Sequence, residues 1–452
     1  MIVALAISVC KILGSVALLT AVLFGATRLT RRLKLQPEVG RKLVHMSLGL
    51  YSLTFPLLFS AAWEAAATCA LGGVVFLIAR RRPALGDGLH GVQRRSYGEL
   101  MFALSVALLF YLKDGHYVFA LRGGQTGPQL ILYVLPLSIL TLCDAASALV
   151  GVNYGRIRFP IEGGVKSLEG VITFILTAWL LSLMALLTLT DLPRTEVIVL
   201  ALVVALFGAL FEAASWRGLD NLFIPLGLYF ILANLIPRGL EGLLVASLTF
   251  VVVAGGLMML GVQRGVSPHV VASGSILLFC VEIFAGPLAM LTPAAVFCVY
   301  FAVWRRGERS GHAHDALDLI AVMLALALGI FVLSNLIGRD TIFVFNLTFA
   351  SLACGVLVRF GRFGAPVTLT GVAAICLIGL VRALAAPFSG ASAVAFAAAG
   401  VGVVGLVAAV AWLLKRASPA RPWVKLSALS FTAGLAALLL PVDVWPATAW
   451  TT

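Results

Sequence analysis

Apolar runs of roughly 20 residues, separated by short polar breaks, recur along the chain from Ile2 to Trp445. An α-helix rises about 1.5 Å per residue, so a run of that length covers the roughly 30 Å of bilayer hydrocarbon. A segment surrounded by lipid has no water to bond its amides and satisfies them within itself only as a helix. The pattern therefore predicts an all-α fold, a polytopic transmembrane helical bundle of about 16 spans. They cover residues 2–24, 43–62, 65–79, 99–113, 129–152, 169–189, 196–214, 221–237, 242–262, 269–287, 292–304, 317–337, 341–358, 366–386, 391–414 and 426–442. Residues 2–24 lack a basic start and run into a basic segment without a small-residue cleavage site, so they read as a retained first helix rather than a secretory signal.

Composition agrees with the pattern: of 452 residues, 61% are hydrophobic and 11% charged, where a soluble domain is about a quarter charged. The seven cysteines stand singly with no C-x-x-C pair, which argues against a disulfide framework and against a zinc site. A formal charge of +13 in a soluble chain would suggest nucleic acid. Here the basic residues crowd into alternate membrane-flanking loops, so orientation and anionic lipid headgroups explain them and no nucleic-acid partner is expected. With both termini outside, the inward loops carry nearly all of them, from Arg28, Arg31, Arg32, Arg41 and Lys42 to Arg416, Arg421 and Lys425. The outward ends hold only Lys113, Arg122, Arg194, Arg238, Arg339 and Arg382. No loop is long enough for a soluble domain, which leaves chemistry to the membrane surface. Mixed charges and glycines fill the inward loops before Arg238, and Ala, Val, Leu and Gly dominate after it, suggesting one domain over 1–240 and a second over 241–452.

Five polar segments of the first half fall on the inward side. Arg41 and His45 share one face at a helix start, with Lys42 about 100° around; a basic residue there also serves as an interfacial anchor. The second segment runs from Arg94 to Glu99. Asp144, Ser147 and Gly151 form a single stripe, and a carboxylate two turns into a membrane helix faces a cavity or a partner. In the segment from Asn153 to Gly170, Gly155, Gly163 and Gly164 free backbone N–H groups to approach an anion. Lys166 and Ser167 stand before a helix N-terminus that adds positive potential. This has the parts of a phosphate cradle. It is not a Walker A motif, because Val165 replaces the glycine before Lys166 and no preceding strand is expected. Last, Glu212 lies near one helix end while Asp220 and Asn221 open the next; carboxylates beside an amide suit magnesium, and a helix cap explains Asn221 equally well.

On these residues the sequence resembles the polyprenol kinase family, which includes dolichol kinase and phytol kinase. The matching segments are GRKLVHMSLGL (40–50), RRSYGEL (94–100), DAASALVG (144–151), NYGRIRF with GGVKSLEG (153–170) and GLDNLFIPL (218–226), in family order. Ser147 stands where the family has alanine. The resemblance spans about residues 38–235 and leaves residues 240–452 without a match. It implies a multi-helix membrane enzyme that transfers phosphate, typically from CTP, to an isoprenoid alcohol.

Phosphoryl transfer needs in-line placement and charge neutralisation more than covalent chemistry from the protein. Asp144, with Glu212 or Asp220, is the expected holder of Mg²⁺. Lys166, with Arg41 or Lys42, is expected to neutralise phosphate oxygens. Gly151, Gly155, Gly163, Gly164, Ser167, Glu169 and Asn221 complete the nucleotide-binding set, and His45 or Asp144 accepts the alcohol proton. The partners are then a lipid alcohol held in the bilayer and a nucleotide arriving from the cytoplasm. A transporter or flippase is the alternative, because Asp144, Glu282 and Arg382 lie within apolar spans. A cytidylyltransferase is a lesser one, lacking its expected Lys-Asp and His-Gly-Gly clusters. In the second half, His312, His314 and Asp315 read as a solvated connector, and Asn335 and Asn346 as interhelical hydrogen bonders.

Overall fold

The computed structural model describes residues 2–34, 37–80, 98–113, 130–161, 164–214, 218–266, 268–285, 290–303 and 342–360, with single helical positions at 323, 326 and 330. Gly163, Arg94 to Tyr97, Arg217, His312, His314, Asp315, Asn335, Arg382 and the spans expected over 366–386, 391–414 and 426–442 lie outside these residues. The chain divides into two compact units, the main change falling between Leu244 and Val245.

The described residues are helical apart from one hairpin. The first unit contains α1 (Ile2–Arg32), α2 (Pro37–Ser52), a single turn α3 (Phe55–Leu58), α4 (Ala62–Arg80) and α5 (Gly98–Leu112). Next come α6 (Ile131–Ser138), a π-helical turn (Ile139–Cys143) and α7 (Asp144–Tyr154), running without a break. The hairpin of β1 (Arg158–Ile161) and β2 (Gly164–Ser167) follows, then α8 (Leu168–Leu189), α9 (Arg194–Ala214) and α10 (Asp220–Leu235). A 3₁₀ turn (Ile236–Arg238) leads into α11 (Gly239–Arg264). Beyond it stand α12 (Pro268–Ala285), α13 (Leu291–Val303) and α14 (Ile342–Phe360).

Five helical stretches among the described residues are long and apolar enough to cross a membrane: Val3–Thr30, Ile131–Tyr154, Leu168–Leu189, Arg194–Ala213 and Asp220–Gly261. The last is too long for a single crossing, and it is divided where Gly239 takes a φ of 64°, a left-handed value open to glycine at little cost. Several long apolar helices make this an integral, multi-pass membrane protein.

Two expected spans come out differently. The first helix runs past residue 24 to Arg32, its later turns carrying Thr27 and Thr30 hydroxyls bonded back to Leu23 O and Ala26 O. The expected span 43–62 is broken: α2 stops at Ser52, and Pro56 starts α3 at a position where its missing N–H costs nothing. Glu64 closes the gap, its carboxylate accepting the N–H groups of Ser60 at 2.9 Å and Ala61 at 3.1 Å and the hydroxyl of Ser8.

Within the first unit α9 lies along α8, α7 packs on α8, α10 on α5 and α9, and α1 on α2 and α4. A run of edge-to-face rings, Phe55, Phe59, Phe110 and Tyr133, fills the centre, and the Tyr133 hydroxyl donates to Ser52 O at 2.7 Å. The second unit packs α13 along α14, with Phe279, Phe297, Phe345 and Phe349 fully buried.

One close approach positions the site. Helix α2 meets the π turn at Gly49, where an added Cβ would overlap the Thr141 hydroxyl and lie 2.8 Å from Thr141 Cβ. Gly49→Ala is therefore expected to destabilise the protein by about 1–3 kcal/mol through overpacking. Gly14→Ala, where nothing lies within 4 Å, is expected to be neutral or slightly stabilising. Thermal inactivation of the two variants in lipid nanodiscs checks the contrast.

Candidate active site

The π turn is the local feature on which the site depends. In it the N–H of Asp144 reaches back to Ile139 O instead of Leu140 O, and the Leu140 carbonyl takes a donor from another helix. That donor is His45 on α2, whose Nε2 lies 3.2 Å from Leu140 O. To bond a carbonyl, Nε2 must carry hydrogen, so in a neutral ring Nδ1 is the nitrogen with a lone pair. The His45 ring also stands edge-on to Phe102, with centroids 5.1 Å apart.

Lys42, one turn before His45, donates to Asp144 Oδ2 at 2.6 Å, and each side chain is only 4% exposed. His45 Nε2 is 3.8 Å from the same oxygen. Arg41 is part-buried on α2, and its charge acts on both His45 and Asp144. Taking two charges out of water is costly unless they meet in good geometry; Lys42 and Asp144 do so. The carboxylate expected to face a cavity or a partner has a lysine from another helix as its partner.

A second pair lies on the hairpin side. Lys166, in β2 opposite Phe159, places Nζ 2.7 Å from Glu212 Oε1 and also bonds the Glu212 carbonyl oxygen. Glu212 is near the end of α9, buried, and close enough to Asp144 and Asp220 for both charges to act on it. Asp220 is half-buried in the first turn of α10.

Other expected site residues make contacts within the fold. The segment 158–167, expected as a loop, is an antiparallel hairpin in register Arg158↔Ser167 to Ile161↔Gly164. A strand does therefore precede α8, but it contains Lys166 and Ser167 instead of leading into a glycine loop. Ser167 caps α8, its hydroxyl accepting the Gly170 N–H at 3.1 Å. Gly151 and Gly155 lie against that residue: a Cβ on Gly151 would be 3.0 Å from Ser167 Oγ, and one on Gly155 would be 2.7 Å from Ser167 Cβ. Glu169 Oε1 accepts the N–H groups of Arg156 at 2.9 Å and Ile157 at 3.2 Å, holding the start of the hairpin against α8. Asn221 does not cap its helix; its buried amide donates to Gly98 O at 2.7 Å and ties α10 to α5.

Among the described residues no three His, Cys, Asp or Glu side chains converge as a ready metal site. Magnesium takes one or two protein carboxylates with phosphate oxygens and water, and Asp144 and Glu212 are carboxylates of the hard-oxygen kind it takes, each now held by a lysine. The sequence offered no sign of the π turn or of the Lys42–Asp144 pairing. Pro136 inside α6 marks an irregular helix, and π turns recur at functional sites, but neither locates the turn.

No family model matches the chain, and no solved structure matches it. A phytol kinase from Synechocystis sp. (strain ATCC 27184 / PCC 6803 / Kazusa) is 34% identical over 216 residues, which cover 46% of this chain and 86% of that protein.

Proposed function

This chain belongs to the polyprenol kinase family, that of the phytol kinases, and from that premise we propose that it transfers the terminal phosphoryl group of CTP to a long-chain isoprenoid alcohol of the phytol, geranylgeraniol or dolichol class. Membership makes it an isoprenoid alcohol kinase; the donor, the alcohol and the residue roles are our reading. The observation that carries them is the gathering of Lys42–Asp144 and Lys166–Glu212 within electrostatic reach. These are two cations for phosphate oxygens and two carboxylates for a metal.

The alcohol keeps its tail in lipid and presents its hydroxyl at the end of the bundle where α2, α7 and the hairpin meet. Its oxygen bonds to the terminal phosphorus as the bridging P–O bond breaks, giving an alcohol monophosphate and a nucleoside diphosphate. His45 or Asp144 takes the hydroxyl proton. Lys42 and Lys166, with Arg41, hold phosphate oxygens, while Asp144 and Glu212, with Asp220 nearby, are the carboxylates for magnesium. When bound, magnesium supplies neutralisation of charge on the phosphates. The basic residues Arg28, Arg32, Lys34, Arg41, Arg156 and Arg158 flank this end, which supports placing it in the cytoplasm.

A second reading, transport, draws on Glu282, a fully buried carboxylate in α12, since an ionisable residue inside a membrane helix marks an ion or solute pathway by default. It concerns the second unit. The deciding experiment incubates purified full-length protein in lipid with labelled CTP or ATP and phytol, geranylgeraniol, farnesol or dolichol. Labelled alcohol monophosphate, formed faster from CTP, is the expected product. Absence of any labelled lipid with every pair would sink the kinase reading.

A further inference from the structure

Each lysine proposed to bind phosphate is held by a carboxylate proposed to bind metal. Lys42 Nζ is 2.6 Å from Asp144 Oδ2, and Lys166 Nζ is 2.7 Å from Glu212 Oε1. The second pair is only slightly more open, at 18% and 11% exposed. The charges of Asp144 and Asp220 act on Glu212, and that of Arg41 acts on Asp144. Each lysine–carboxylate pair carries one positive and one negative charge, so each pair is neutral without ligands.

Neutrality in a poorly hydrated site decides what can enter. A divalent cation arriving alone must displace an ammonium from Asp144 or Glu212 and leave that ammonium unpaired beside new positive charge. A nucleoside triphosphate arriving alone must pull a lysine away, leaving a bare carboxylate facing phosphates. Arriving together, the two ligands re-pair every charge: carboxylates turn to the metal as ammonium groups turn to phosphate oxygens. An interaction that favours both together over either alone is a coupling free energy, and it acts equally on each ligand's affinity.

Resting on the kinase reading, we infer that Lys42 and Lys166 are exchangeable counter-ions that occupy the metal-binding carboxylates until nucleotide arrives, so that divalent metal and nucleoside triphosphate bind synergistically and each only weakly alone.

The test is a binding measurement on full-length protein in nanodiscs, with Mn²⁺ followed by its electron paramagnetic resonance signal and β,γ-methylene-CTP as the nucleotide probe. In the wild type the Mn²⁺ dissociation constant is expected to fall by about tenfold or more when the analogue is saturating, and the analogue's by the same factor with Mn²⁺. Lys42→Gln removes the competing ammonium at Asp144, so Mn²⁺ alone is expected to bind about tenfold tighter than to the wild type, with the coupling shrinking toward one. Lys166→Gln should act the same way through Glu212. Adding Asp144→Asn to Lys42→Gln should abolish the gain.

A lysine that only braces helices gives no gain of metal affinity on removal. Equal Mn²⁺ affinity with and without analogue in the wild type would overturn the inference, as would two lysine variants that bind Mn²⁺ alone no tighter than the wild type. The labelled-alcohol assay separates the two failures: turnover without coupling leaves the kinase reading standing and removes this inference alone, whereas absence of turnover removes the kinase reading itself.

Discussion

Asp144→Asn is expected to lower turnover about 10³-fold while the protein still inserts and folds, the size of effect seen when one preorganised electrostatic contact to a transition state is lost. The amide keeps the volume of the carboxylate, and its oxygen still accepts from Lys42, so the contact between α2 and α7 persists. What disappears is the negative charge, and with it both the hold on magnesium and the partner that neutralises Lys42 at 4% exposure. The measurement is kcat for alcohol phosphorylation across a magnesium titration, beside a melting curve of the same sample. Near-normal turnover at saturating magnesium would make Asp144 a structural counter-ion.

Lys166→Met is expected to abolish detectable transfer and to destabilise the protein, because Glu212 would keep its charge in a buried position without a partner. Breaking a buried pair on one side costs about 3–5 kcal/mol, an upper figure here since Lys166 is 18% exposed. Replacing both partners removes that penalty, so Lys166→Met with Glu212→Leu is expected to recover most of the lost stability, to within about 1–2 kcal/mol of the wild type, because apolar replacement of a whole ion pair is often neutral. The double variant should remain inactive. Recovery of stability without activity separates the two roles of the pair. A double variant that phosphorylates alcohol at the wild-type rate would show that neither residue touches the nucleotide or its metal.

Much of this was legible in the sequence because lipid imposes a coarse rule. Apolar length identifies a membrane helix, and most described helices lie within a few residues of the apolar runs. The exceptions share a cause. Pro56 and the Glu64 carboxylate mark where the expected span 43–62 breaks into α2 and α3 before α4 begins, and hydropathy, an average over a window, does not register a break made by one ring and one cap. The hairpin was hidden for a similar reason: its strands of 4 residues each are too short to show an alternating pattern.

The candidate site divides along the same line. Asp144, His45, Lys42, Lys166 and Glu212 stood out by type and place, since ionisable groups are expensive inside a membrane and need a reason to be there. Gly151 and Gly155 stood out as well, yet their small size serves the approach of α7 to Ser167 at the hairpin's end. Asn221, read as a ligand or a cap, joins two helices through its amide.

By itself the sequence determined the solvent of this protein, the helical character of its spans and the set of ionisable groups that must find partners, because each follows from transfer of local groups from water to lipid. Only the tertiary structure decided which partner each group takes. Lys42 finds Asp144 across 102 positions of chain and Lys166 finds Glu212 across 46, and those pairings depend on helix rotation. A π turn adds one residue to a turn and so rotates everything beyond it, placing Asp144 toward Lys42 and opening the Leu140 carbonyl to His45. Rotation of that kind is set by the packing of α2 on the turn at Gly49, a contact between distant segments that no local pattern encodes.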